Sequence, residues 1–107
     1  MIQVREYVDD GGRNHFRAWR VKLDPTTRAR IDVALDRLER GNTSAMKGVG
    51  ARVAEIRLDF GPGYRIYCGG DGEALVILLA GGTKQRQHAD IDLAKTLWKE
   101  YKQGKRS

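Results

Sequence analysis

Residues 53–68 read VAEIRLDFGPGYRIYC. Apolar and polar side chains alternate from Val53 to Phe60 and again from Tyr64 to Cys68. Between the two runs, Gly61-Pro62-Gly63 marks a tight turn. Period-two alternation on both sides of a turn is the pattern of an antiparallel hairpin. With residues 61–63 as a three-residue loop, Phe60 opposes Tyr64, Asp59 opposes Arg65, Leu58 opposes Ile66 and Arg57 opposes Tyr67. One face then carries Ile56, Leu58, Phe60, Tyr64, Ile66 and Cys68 and must meet a hydrophobic layer. The other, expected to be open, carries Glu55, Arg57, Asp59, Arg65 and Tyr67. A slip of one residue would exchange the two faces, so the assignment is testable.

The polar face admits two readings. A guanidinium is a rigid fork that grips a phosphate through two hydrogen bonds, and a tyrosine ring offers a stacking surface for an unpaired base. Alternatively the face is merely solvated, and Arg65 pairs with Asp59 across the strands for at most ~1 kcal/mol.

Downstream, Ala74 to Ala80 is seven unbroken apolar residues, a strand of the fully buried type. Gly81-Gly82 is expected to break it. The polar run Thr83-Lys84-Gln85-Arg86-Gln87-His88 follows, then a helix marked by Ile91, Ala94, Trp98 and Tyr101, and a basic tail from Lys102 to Arg106. If the apolar strand adjoins the hairpin, Lys84 emerges near Arg57 and Arg65; otherwise the run is a plain connection. Upstream, Ile2 to Tyr7 reads as a short strand, closed by Asp9-Asp10-Gly11-Gly12. Phe16, Trp19 and Leu23 share one face of a short helix. Asp24-Pro25 starts a second, with Ile31, Ala34, Leu35 and Leu38 as its stripe and Gly41-Asn42 as its stop. Residues 41–50, GNTSAMKGVG, read as a loop. The expected architecture is one α/β (α+β) domain over residues 1–107. Its mainly antiparallel twisted sheet has about four strands, two N-terminal helices on one face and a C-terminal helix.

The chain has 107 residues and 12.0 kDa, room for one core. Its 20 basic and 14 acidic residues give a net charge of +6 and a pI near 9.8. The surplus is +2 in each of residues 1–40, 41–70 and 71–107, so any cationic surface must be assembled by folding. Such a balance suits a polyanion partner, nucleic acid or ribosome, as well as plain solubility. One cysteine, Cys68, excludes an internal disulfide framework, and its place on the apolar face makes it a packing residue. His15 and His88 lie far apart in sequence, and HExxH, CxxC and GxSxG are absent, so no metal site or cofactor is expected. MIQVREYVDD lacks the apolar core of a signal peptide, and no apolar run approaches a bilayer span. The expected location is cytoplasmic, with no membrane partner.

Taken together, Glu55-Ile56-Arg57, Asp59-Phe60-Gly61-Pro62-Gly63-Tyr64-Arg65-Ile66-Tyr67, Leu78-Leu79-Ala80-Gly81-Gly82-Thr83-Lys84, Gln87 and Asp90-Ile91 resemble the RelE/HigB-like toxins, and more narrowly the addiction module killer group. Phe16-Arg17-Ala18-Trp19, Asp24-Pro25 and Leu38-Glu39-Arg40-Gly41-Asn42 agree, and the likeness runs from about residue 5 to residue 101. It implies a compact RelE-like domain and the toxin of a type II toxin–antitoxin system. The implied activity is a metal-independent, ribosome-dependent mRNA endonuclease, or mRNA interferase, which blocks translation. Arg57, Arg65, Lys84 and Tyr67 would be its catalytic residues. Lys47, Arg52, Arg86, Gln87 and His88 would hold substrate or ribosomal RNA. The partners would be the ribosome, mRNA and a cognate antitoxin, of helix-turn-helix type. The same fold also serves ParE-like inhibitors of DNA gyrase, which have no nuclease chemistry, and a non-catalytic RNA-binding domain is a further alternative.

Overall fold

A strand that is apolar on both faces needs cover on both, and that requirement organises the molecule. The computed structural model describes residues 1–106, with Arg106 described by its backbone alone. In chain order the elements are β1 (Gln3–Glu6), α1 (His15–Arg20), α2 (Pro25–Glu39), β2 (Met46–Gly50), β3 (Val53–Leu58), β4 (Tyr64–Gly70), β5 (Leu75–Thr83) and α3 (Gln87–Arg106). A 3₁₀ turn, Lys84–Arg86, joins β5 to α3. The five strands lie in the order β1-β5-β4-β3-β2. The β1–β5 pair is parallel and the other three are antiparallel. Against one face α1 and α2 bury Phe16, Ile31 and Leu38 on Ile56, Leu58, Ile66, Cys68, Val76 and Leu78. Against the other α3 buries Ala94, Leu97 and Trp98 on Val53, Tyr67, Ile77, Leu79 and Ala80. No helix among the described residues is long and apolar enough to cross a membrane.

The helix boundaries follow from local chemistry. The Asn14 side chain accepts from the Arg17 N–H and caps α1, and Asp24 does the same for Thr27 ahead of Pro25 in α2. The residues expected to form a basic tail are the last turns of α3.

The hairpin register differs from the three-residue loop. Leu58 opposes Tyr64, Arg57 opposes Arg65, Ile56 opposes Ile66 and Glu55 opposes Tyr67, so the connection is residues 59–63. Gly61 and Gly63 both take positive φ, at 55° and 80°, and the Gly63 N–H closes on the Phe60 carbonyl at 3.1 Å. The turn therefore begins before Phe60, and Phe60 does not pair. The shift is two residues, an even number, so every side chain stays on the face assigned from the alternation. The polar face is not open, however, because α3 lies across it.

Two glycine readings also change. Residues 46–50 pair with β3 as an edge strand rather than a loop, kinked by a bulge between Gly48 and Gly50. Gly81 and Gly82 do not break β5, which continues to Thr83. A Cβ at Gly81 would overlap the Trp19 ring, and one at Gly82 would overlap the Asp90 carboxylate. The glycines are there because α1 and α3 press on the strand from opposite sides.

Gly81→Ala is therefore expected to lower the unfolding free energy by roughly 1–3 kcal/mol through overpacking. In urea denaturation the loss should shrink when Trp19 is replaced by Leu; equal losses in both backgrounds would contradict the packing assignment.

Candidate functional site: an arginine groove built on a buried carboxylate

The β3–β4 register sets Arg57 directly beside Arg65, with Glu55 two residues before Arg57 on the same face. Two neighbouring guanidiniums repel unless an anion separates them, and Glu55 supplies it. Its side chain is 1% exposed. One carboxylate oxygen accepts from Arg57 Nε at 2.9 Å. The other accepts from Gln87 Nε2 at 3.2 Å and lies 3.3 Å from Arg65 Nε. The last is an ion contact without hydrogen-bond alignment, since Arg65 Nε has no aligned acceptor. Arg65 Nη1 also reaches the Gly63 carbonyl at 3.4 Å. Glu55 thus ties β3, β4 and the first residue of α3 at one point.

The two arginines differ in access. The Arg57 side chain is 45% exposed and that of Arg65 only 9%. Both line a groove of about 450 Å³ with Lys84, Asp59, Phe60, Tyr64 and residues 61–63 of the turn. Lys84 is brought there by β5 pairing with β4 and by its N–H, which donates to the Gly63 carbonyl at 2.8 Å. A larger, mainly apolar cavity of about 540 Å³ lies between α2 and β3. It shares Arg57 and Asp59 with the groove but lacks Arg65 and Lys84. We place the candidate chemistry in the smaller groove, where three cations converge.

The other residues singled out from the sequence fall in several places. Gln87 joins the cluster through Glu55. Lys47 is exposed on β2 directly opposite Glu55, so it shares the sheet face of the cluster. Arg86 is exposed in the 3₁₀ turn. His88 points to solvent, 3.7 Å from Asp92. Arg52 sits at the tip of the β2–β3 hairpin, away from the groove. Tyr67 departs most from expectation: it has no exposed surface, so its ring offers nothing for a base to stack on. Among the described residues its hydroxyl has no partner, and burial pushes its pKa up to about 12, reinforced by Glu55 and Asp90 and opposed by Arg65. The expected Asp59–Arg65 pair is replaced by Glu55–Arg65, because the connection carries Asp59 past the last paired residue.

Two residues of this site went without a role in the sequence reading. Glu55 was visible as a charge on an otherwise alternating strand, two positions from Arg57. Asp90 is 7% exposed, packed on Gly82, and burial raises its pKa, with Arg86 opposing. Among the described residues no three His, Cys, Asp or Glu side chains form a possible metal-ligand set. Cys68 is buried, which pushes its thiol pKa up to about 12, so it serves the core.

Residues 18–99 match the family described as phage derived protein Gp49-like (DUF891). An uncharacterized protein of Haemophilus influenzae is 41% identical over 86 residues, covering 79% of this chain and 87% of that protein. The matched span includes every groove residue, and the chain belongs to the Gp49-like family.

Removing Glu55 should strand a buried guanidinium. Glu55→Ala is expected to cost roughly 3–5 kcal/mol in urea denaturation, with Glu55→Gln costing less; a loss below about 1 kcal/mol would contradict the buried-pair assignment. Tyr67 makes an alkaline prediction. Its folded pKa is raised above the ordinary 10.0, so its contribution is complete below pH 10 and is lost as the pH climbs toward 12. Stability measured from pH 9 to pH 12 should fall more steeply for the native chain than for Tyr67→Phe.

Proposed function

We propose that this Gp49-like protein is the toxin of a type II toxin–antitoxin pair and cuts mRNA on the ribosome without a metal. The observation that carries the reading is the convergence of Arg57, Arg65 and Lys84 on one groove, with both guanidiniums braced by Glu55. Membership of the Gp49-like family supports the toxin assignment.

The chemistry suited to such a groove is transesterification. The ribose 2′-oxygen attacks the adjacent phosphorus and loses its proton. The bond to the 5′-oxygen breaks, and that oxygen gains a proton. The products are a 2′,3′-cyclic phosphate and a 5′-hydroxyl. The pentacoordinate intermediate gathers negative charge on its equatorial oxygens, where Arg57 and Arg65 donate. Because Glu55 fixes the guanidiniums beforehand, little reorganisation is needed as that charge develops. Lys84, exposed at the groove mouth, holds the charge of the leaving oxygen and stands where a proton donor is wanted. No histidine lines the groove, so a large share of the rate falls to positioning, which a ribosome supplies by holding the message in line for attack. Gln87 acts on the site through Glu55, and Tyr67 belongs to the floor beneath it. An antitoxin of helix-turn-helix type is the partner this reading entails.

Primer extension on a defined message with purified ribosomes tests the proposal. Wild type should give discrete cuts only when ribosomes are present. Arg57→Ala should cut about 10²–10³-fold more slowly, and it should melt below wild type because one buried Glu55 oxygen loses its donor. Lys84→Ala should also slow cutting. Arg65→Ala should lose both activity and stability, since that side chain is buried rather than outward as the alternation suggested. Intact message together with blocked supercoiling would favour gyrase inhibition instead.

A further inference from the structure

The groove leaves a second set of cations unexplained. On α3, Lys95, Lys99 and Lys102 recur at i, i+4 and i+7 and so form one stripe. The stripe runs beside the β2–β3 hairpin: Lys95 Nζ hangs over Gly50, and all three lysines line one shallow cavity of about 500 Å³ with Ala51. Arg52 and Lys102 meet again in the adjoining depression. Among the described residues none of these four cations makes an ion pair. The nearby acids are engaged elsewhere. Asp92 lies beside His88, Glu100 accepts from Tyr7 and the Asp10 N–H, and Asp71 is held by Tyr101 and Lys105, with Lys102 acting on it at longer range. On the α1/α2 side Arg17, Arg20 and Arg40 are paired with Glu6, Asp32 and Asp36, Arg28 bonds the Leu23 carbonyl and Arg30 lies over the Phe60 ring, while Lys22 and Arg37 form no ion pair among the described residues.

The hairpin adds a second, independent observation. Ala51 and Arg52 both occupy the left-handed region, with φ of 54° and 64°, in a two-residue turn that ordinarily takes Asn-Gly. Holding two side-chain-bearing residues there costs stability, and the turn places the Arg52 charge beside the lysine stripe.

We propose that Arg52, Lys95, Lys99 and Lys102 form a docking tract for the phosphate backbone of structured RNA, separate from the groove and joined to it by Lys47. The inference rests on the reading of the groove as an RNA site. From Lys95 to Lys102 α3 rises about 10 Å, a length that meets neighbouring phosphates rather than a single anion. Lysines suit this task, since they neutralise phosphates as point charges without reading sequence. The tract grips an RNA body while the groove receives the strand to be cut.

The probe is a fluorescein-labelled 16-base-pair RNA hairpin, with binding read by anisotropy across a salt series. The Lys95→Gln/Lys99→Gln/Lys102→Gln variant should bind at least tenfold more weakly, and its salt slope should fall by about three, one per lost phosphate contact. Arg52→Gly should bind more weakly yet melt at a higher temperature, a combination that misfolding cannot produce. Unchanged affinity and slope in the triple variant would overturn the tract. A DNA hairpin of the same sequence bound equally well would overturn its assignment to RNA. If wild type binds the hairpin through these lysines but cuts no message on ribosomes, the tract stands and the nuclease reading falls.

Discussion

The Glu55 carboxylate, sealed beneath α3, is the interaction on which the rest of the structure depends. A buried charge is tolerable only when its oxygens are occupied, and here both are, by groups from three separate elements. The consequence runs outward. Arg57 and Arg65 can stand side by side because the anion lies between them. Gln87 can begin α3 at that point because it completes the carboxylate's bonds. The groove is cationic at its mouth and neutralised at its base, which suits a guest that arrives carrying its own negative charge.

Burial on both faces of the sheet makes this possible. A face covered on only one side would leave Glu55 and the arginines in water, where each pair is worth little. With α3 in place, Arg65 is nearly enclosed while Arg57 remains accessible, so one guanidinium is part of the scaffold and the other is presented. The close approach of α3 to β5 depends on Gly82, and that of α1 on Gly81. Two adjacent residues without side chains thus let helices settle on opposite sides of one strand.

Much of this was legible in the residues. Alternation over Val53–Leu58 and Tyr64–Cys68 assigned every side chain to its correct face, and the Asp24-Pro25 start and the Ile31 to Leu38 stripe placed α2. The turn length was not legible, because two glycines at positive φ permit several loops and only the pairing energy of the whole hairpin selects one. The edge strand at 46–50 was hidden by its glycines. The role of Glu55 was hidden because a carboxylate reads as solvated until something covers it; the apolar run at 74–80 already demanded cover on both faces and was the available clue. The even spread of charge along the chain likewise concealed that folding pairs Arg17, Arg20 and Arg40 with acids and leaves Lys95, Lys99 and Lys102 of α3 without an ion pair among the described residues.

Arg57 and Arg65 are held by Glu55 before any substrate arrives. Nitrogen-15 NMR of the arginine Nε–H groups measures this directly in the free protein and during titration with a dinucleotide lacking the attacking 2′-hydroxyl. Slowly exchanging Nε–H signals are expected for both arginines in the free state, each shifting as the dinucleotide binds and each lost in Glu55→Ala. Fast solvent exchange at both sites, or signals indifferent to Glu55, would contradict it.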